Sequence, residues 1–191
     1  MMKLDVIPAG RAGTDLNGVI WIAGYSGSGK TTVSRLLVSE LERRGAAVIL
    51  LDGDDLRGIF GRRWGYERAD RIELGYVNYR LCRYLSAQGY AVVIAAGGMY
   101  QEILDWNRAN IPHFFQVYLD VPEDERRHRD AHTKKVYGQL GDVKRLFDTL
   151  KYPDLVIENY GDTDPAFSAR QIADCYVKHR RPAEIARKQS V

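Results

Sequence analysis

The chain has 191 residues, 45% of them apolar and 28% charged, with a net charge of +3; one ordinary domain of that balance buries a core without crosslinks. No run of ~18 apolar residues occurs, so no membrane span is expected, and the opening MMKLDVIPAGRAGTD lacks the continuous apolar stretch of a secretory leader. Cys82 and Cys175 sit far apart, and the four histidines form no zinc-binding spacing, so a cytoplasmic protein with reduced thiols and no zinc site is the expectation.

Residues 1–16 read as a loose N-terminal arm. Val19–Ala23 (VIWIA) is a short buried strand, followed by a glycine-rich turn and a helix from about Lys30 to Arg44, which Gly45 ends as a C-cap. Ala47–Leu51 (AVILL) is the second strand. A long helix over roughly Ala69–Gln88 stops at Gly89, and Ala91–Ala96 (AVVIAA) is the third strand. A shorter helix spans about Gln101–Ala109, a strand follows at Phe114–Leu119, and Pro122 opens another helix at a position that tolerates proline. Asp154–Ile157 is the last strand, ahead of a helix from about Pro165 to His179.

Short apolar strands alternating with helices predict an α/β fold, a five-stranded parallel sheet with helices on both faces. Residues 17–180 form the expected domain. The polar stretch from about Ala131 to Lys151, with its lysines, glycines and weak periodicity, is the expected mobile lid. From Lys178 onward five basic residues and one acid carry +4, which leaves the remainder at −1. That basic tail, residues 181–191, reads as a cationic helix end and a frayed terminus. Nucleic acid is therefore not the expected partner.

Gly24-Tyr25-Ser26-Gly27-Ser28-Gly29-Lys30-Thr31 fits G-x-x-x-x-G-K-[ST] at every fixed position, between a buried strand and an amphipathic helix. Glycines let the backbone wrap so that successive N–H groups point at phosphate oxygens, and the helix N-terminus adds partial positive charge. Lys30 is expected to bridge the β- and γ-phosphates of ATP, Thr31 to ligate Mg²⁺, and Gly24, Ser26, Gly27, Ser28, Gly29 and Thr32 to complete the cradle. Such a loop in that context implies a P-loop NTPase or kinase fold. No NKxD string supports guanine recognition, and a small domain with a basic lid favours a metabolite or nucleotide kinase over a motor.

The second strand runs into Asp52-Gly53-Asp54-Asp55-Leu56-Arg57. In an open parallel sheet the carboxyl ends of strands face the ligand crevice, so one carboxylate there orients Mg²⁺ and another takes the proton of an attacking hydroxyl. Asp52 and Asp54 are the candidates; Asp54 or Asp55 could also cap a helical turn through Arg57, a role compatible with the catalytic one. Arg57 and Arg71 suit an anionic substrate, since a guanidinium grips phosphate or sulfate with two hydrogen bonds; either could instead be a surface ion pair. Tyr66 and Phe147 could stack a base or be core.

With these residues in hand, the chain resembles the adenylylsulfate (APS) kinase family over about Val19–Asn159. WIAGYSGSGKTTVS resembles its opening strand and loop, LDGDDLR its LDGDNxR segment, WGYERADRIE its LGF-x-x-x-DR-x-EN stretch, VYLDVPEDERRHRD its strand and helix ending in Arg-Asp, and YPDLVIEN its closing strand. The resemblance implies ATP- and Mg²⁺-dependent phosphorylation of the ribose 3′-hydroxyl of APS, a small-molecule nucleotide. By position, Asp54 becomes the catalytic carboxylate, Arg57 and Arg71 bind the phosphosulfate part, and Tyr66 stacks on the base. Lys134 or Lys135 stands for the lid lysine, two residues later than usual. Gly98 and Tyr100 fall on the substrate-facing turn, and Phe147 loosely matches a lid aromatic. Whether the chain pairs as a homodimer is left open.

Departures fall on the substrate side. Leu74 replaces an expected asparagine, Ala96-Gly97-Gly98-Met99-Tyr100 replaces F-I-S-P-Y, Asp55 replaces an asparagine, and the lid lacks the KGLYKKARAG and FTGID strings. Trp106–Pro112 (WNRANIP) is similar to the capsular-polysaccharide branch of the family, some of whose members act on a cytidine diphosphoramidate. The implied acceptor is therefore either APS or a cytidine-type conjugate. A nucleotide-binding module without catalysis is the alternative from another class.

Overall fold

Aliphatic and β-branched residues concentrate in five runs of strand length, and in the computed structural model each is a strand of one parallel sheet. The structure describes residues 15–61, 63–133, 136–140 and 147–180. Lys134, Lys135, most of the N-terminal arm and the basic tail lie outside the described residues. In chain order the elements are β1 (Gly18–Ala23), α1 (Lys30–Arg43), β2 (Val48–Asp52), α2 (Gly53–Ile59), α3 (Arg68–Ala87), β3 (Ala91–Ala95), α4 (Gln101–Asn110), β4 (Phe114–Asp120), α5 (Glu123–Ala131), α6 (Val136–Leu140), β5 (Leu155–Glu158) and α7 (Pro165–Arg180).

The strand order is β2-β3-β1-β4-β5. Ile20 of the central strand lies beside Val93 on one side and Phe115 on the other. Because side chains alternate across a strand, Val19, Trp21 and Ala23 enter one apolar layer with Tyr79, Ile103 and Leu104 of α3 and α4. Ile20 and Ile22 enter the other, with Leu37 and Ile172 of α1 and α7. Trp21 is fully buried. Its ring meets Tyr79 edge-on at 5.2 Å, and its Nε1 donates to the Ala96 carbonyl at 2.9 Å. Truncating such an aromatic costs about 3–5 kcal/mol, and here it would also release the turn after β3.

Every chain crossing returns in parallel, so the loops that follow the strands gather at one end of the sheet. α2, absent from the sequence expectation except as a capped turn, is one of these. Its N-cap is Asp52, not Asp54 or Asp55: the Asp52 carboxylate accepts from the Asp54 amide at 2.9 Å. Asp154 also stands outside its expected strand. Its amide donates to the Gln116 carbonyl at 3.0 Å and its carboxylate accepts from the Gln116 amide at 2.7 Å, which clamps the strand entrance from outside the ladder.

Candidate active site

The turn between β1 and α1 needs glycine for two separate reasons. Gly27 and Gly29 hold φ values of +76° and +88°, where a side chain is strained. A Cβ on Gly27 would also stand 2.3 Å from the Arg126 carbonyl oxygen, and one on Gly29 2.6 Å from Asn159 Nδ2. Asn159, just past β5, secures the loop by donating to the Ser28 carbonyl at 2.9 Å. The Ser28 hydroxyl is buried without a hydrogen-bond partner among the described residues. Lys30 begins α1, and its Nζ donates to the Tyr25 carbonyl at 2.8 Å, which keeps the ammonium at the loop.

The loop meets the acidic turn where Thr31 Oγ1 donates to Asp52 Oδ2 at 2.8 Å. The other Asp52 oxygen caps α2, so one carboxylate sets both the threonine hydroxyl and the start of the helix that carries Asp54 and Arg57. A cleft of about 380 Å³ opens over this junction. Gly24, Ser26, Lys30 and Thr31 line it from the loop, and Asp52 and Asp54 from the acidic turn. Arg57, Tyr66 and Arg71 line the α2–α3 side, and Gly98 and Phe147 close it.

Tyr66 is 64% exposed and so is not core. The Arg57 and Arg71 guanidinium carbons lie 4.7 and 5.3 Å from its ring centroid, and Arg71 is also 5.7 Å from the Phe147 ring. Arg71 Nε donates to the Tyr66 carbonyl at 2.6 Å, and Arg57 donates to the carbonyls of Trp64 and Gly65 at 3.1 Å. Neither arginine is in a salt bridge among the described residues. Both guanidiniums are instead held beside an aromatic face at the cleft wall, where an anion with a flat base would meet charge and ring together.

Tyr100, expected on the substrate side, does not line the cleft. It is fully buried, its ring 5.8 Å from Phe147 and 4.8 Å from the Arg68 guanidinium. It backs Phe147 from within the core. Gly27, Ser28 and Gly29 form the body of the loop and do not line the cleft, and Thr32 is exposed on the first turn of α1.

Two networks that sequence reasoning missed hold the remaining wall. Asp148 fixes Phe147: its amide donates to the Met99 carbonyl at 2.8 Å, and its carboxylate accepts from Arg68 at 2.8 and 3.1 Å and from the Gln101 amide at 3.0 Å. The Arg68 guanidinium holds the Asp148 carboxyl below its ordinary value near 3.8. The second network ties α6 to the phosphate loop through α5. Asp130 accepts from the Ser26 hydroxyl at 2.6 Å and from the Tyr137 amide at 3.1 Å. Arg126, 3% exposed, donates to the Val121 carbonyl at 2.9 Å and to the Tyr137 hydroxyl, and lies 4.5 Å from the Tyr25 ring. Burial pushes the Tyr137 phenol upward. An arginine run on a short helix reads as a solvated face, and nothing local distinguishes the one that turns inward.

α3 supplies a further stretch of wall. Leu74, Gly75, Asn78 and Tyr79 line the cleft behind Arg71. A helix places positions three, four and seven apart on one side, so the Arg71–Leu74–Gly75–Asn78 spacing was the signal available for this face.

Residues 17–150 match the family model described as adenylylsulphate kinase. A cytidine diphosphoramidate kinase of Campylobacter jejuni subsp. jejuni is 32% identical over 146 residues, 74% of this chain and 85% of that protein. An adenylyl-sulfate kinase of Pseudomonas aeruginosa is 30% identical over 174 residues, 86% of this chain and 87% of that one. Among solved structures, the Mycobacterium tuberculosis APS kinase in complex with AMPPNP and APS aligns with a TM-score of 0.71 at 27% identity, over 82% of this chain and 95% of that one.

Proposed function

The chain belongs to the adenylylsulphate kinase family, and we propose that it transfers the γ-phosphoryl group of ATP to the 3′-hydroxyl of a nucleotide conjugate, in the cytoplasm. The observation that carries this reading is the 2.8 Å contact between Thr31 and Asp52, which sets the acidic turn against the phosphate loop on a cleft shared with Arg57 and Arg71.

The residues present fit the reagents of such a transfer. The loop leaves no room for side chains at Gly27 and Gly29, as backbone amides that approach phosphate closely require. The Thr31 hydroxyl and Asp52 carboxylate meet at one point and are hard oxygen donors of the kind Mg²⁺ takes together with phosphate oxygens and water. Bound there, the ion supplies neutralisation of the β- and γ-phosphates. Lys30 exchanges the Tyr25 carbonyl for phosphate oxygen. Asp54 takes the proton of the 3′-hydroxyl as the new O–P bond forms and the bond to the leaving ADP breaks. Arg57 and Arg71 hold the anionic bridge of the acceptor, and Tyr66 and Phe147 bracket its base.

The acceptor that suits this cleft best is a cytidine diphosphoramidate-type conjugate. Leu74 offers no hydrogen bond on the wall beside Arg71, the turn at Gly97 and Gly98 is stripped of side chains, and a relative of that activity matches 74% of the chain. APS is the second reading, supported by the Pseudomonas and Mycobacterium relatives. ADP release measured with each acceptor in turn decides between them. Efficient turnover of APS at low concentration, with none of the cytidine conjugate, overturns the preference. No turnover of any nucleotide, with ATP still bound, overturns the kinase reading.

A further inference from the structure

We infer that Asn78, together with the hydroxyl of Tyr79, selects the acceptor by accepting an N–H donor of the bound nucleotide at the floor of the cleft; this rests on the acceptor site proposed above. On the α3 wall, Leu74 and Gly75 carry no polar side-chain atom. The first such atoms past Arg71 are those of Asn78 and Tyr79, which both line the cleft. They are 7% and 2% exposed, and Asn78 Oδ1 and the Tyr79 hydroxyl are buried with no hydrogen-bond partner among the described residues.

Buried polar atoms are nearly always paired. The Tyr79 ring has a packing role against Trp21 and Phe114, but that packing gives its hydroxyl nothing to bond. Other buried side chains with unpaired atoms, such as Asn107, Gln116 and Tyr100, do not line the cleft. Only Asn78 and Tyr79, adjacent on one helix, combine an unpaired buried atom with a place on the lining among the described residues. A partner for them arrives with the ligand. An amide oxygen accepts and cannot donate, whereas a phenol does both, so the matching ligand group is a donor, and the donors by which candidate acceptors differ are their N–H groups. A cytidine diphosphoramidate offers two such groups, the exocyclic amine of its base and the amide on its distal phosphorus. APS keeps an exocyclic amine on its base, but its terminal sulfate offers no N–H.

Three acceptors separate these sources: cytidine diphosphoramidate, its uridine counterpart (amide kept, base amine lost) and CDP (base amine kept, amide lost). With the wild-type protein, the analogue missing the recognised donor should lose about tenfold in kcat/KM, the effect of one buried hydrogen bond. Asn78→Leu should lose a similar factor on the full conjugate and nothing further on that analogue, so its preference disappears. Asn78→Asp keeps an acceptor oxygen and should keep the preference, and Tyr79→Phe should reduce it. Calorimetric titration of each acceptor in the presence of a non-hydrolysable ATP analogue should show the same pattern without turnover. Because the amide oxygen holds no bond within the described fold, Asn78→Leu should melt no lower than wild type.

A markedly lower melting point for Asn78→Leu would assign the amide to the scaffold and overturn the inference. So would equal use of all three acceptors by the wild type, or an unchanged preference in Asn78→Leu. Those results leave the kinase reading standing. If the wild type phosphorylates none of the three, the inference falls, and the kinase reading falls with it only when APS is not turned over either.

Discussion

Replacing Asp52 separates the structural and chemical roles of a single carboxylate. Its two oxygens do different things: Oδ2 accepts from the Thr31 hydroxyl at 2.8 Å, and Oδ1 caps α2 through the Asp54 amide at 2.9 Å. Asp52→Ala removes both. Losing the cap costs about 1 kcal/mol and losing the Thr31 bond about another. Roughly 2 kcal/mol in a domain of this length lowers the melting temperature by about 4–8 °C. Asp52→Asn keeps an oxygen for the cap and an amide that Thr31 can meet, so its melting temperature should fall by less than about half as much. Turnover should nonetheless drop about 10–100-fold or more, because the charge that orients the Thr31 hydroxyl, and that would hold the proposed Mg²⁺, is gone. Differential scanning fluorimetry and a coupled ADP-release assay over a magnesium titration measure the two effects. An Asp52→Asn protein with wild-type turnover and an unchanged magnesium requirement would refute the chemical role. An Asp52→Ala protein with an unshifted melting temperature would refute the capping argument.

Asp54→Asn should fold and bind ATP but lose on the order of 10²–10⁴ in kcat, the range for a positioned general base; near-wild-type turnover in a steady-state assay removes Asp54 from that role. Gly27→Ala places a Cβ 2.3 Å from a backbone oxygen of α5 at a φ of +76°. Left-handed strain alone costs about 1–2 kcal/mol, so thermal melting should fall by at least that and ATP affinity should weaken in a direct titration. Arg68 depresses the Asp148 carboxyl, so its ion pair adds stability that is complete above the ordinary carboxylate range and is lost as pH falls through the lowered value. Wild type and Asp148→Asn should therefore differ in melting temperature at neutral pH and converge in strong acid, and a difference constant with pH would count against the pairing. Tyr137→Phe deletes the hydroxyl that joins Arg126 to the loop at Ser26. A several-fold rise in the KM for ATP is expected, and an unaltered KM would show that α6 is not coupled to phosphate binding.

Much of the site could be read along the chain because its parts are contiguous. The phosphate loop is eight consecutive residues on one strand–helix junction, and the DGDD turn follows a strand whose end must face the crevice of a parallel sheet. Arg57, Tyr66 and Arg71 were placed by resemblance to the family, and the fold brings them to one wall. Reading by position failed for Tyr100, since a residue two places past Gly98 can turn into the core instead of the cleft. At the start of α2 the capping residue is Asp52 and not the alternatives Asp54 or Asp55, and Asp54 lines the cleft.

Local patterning alone determined the alternation of strands and helices, the parallel sheet it requires, and the phosphate-binding turn, because these depend on periodicity, glycine conformation and nearest neighbours. The tertiary structure decided which arginine is buried against Tyr25, that Asp148 sets Phe147, and that Asn78 Oδ1 and the Tyr79 hydroxyl reach the cleft with no partner among the described residues. Each of those facts joins α3, α5 or the stretch before β5 to elements distant in the chain. Hydrogen-bond satisfaction and burial are properties of the packed whole, and no window of sequence contains both partners.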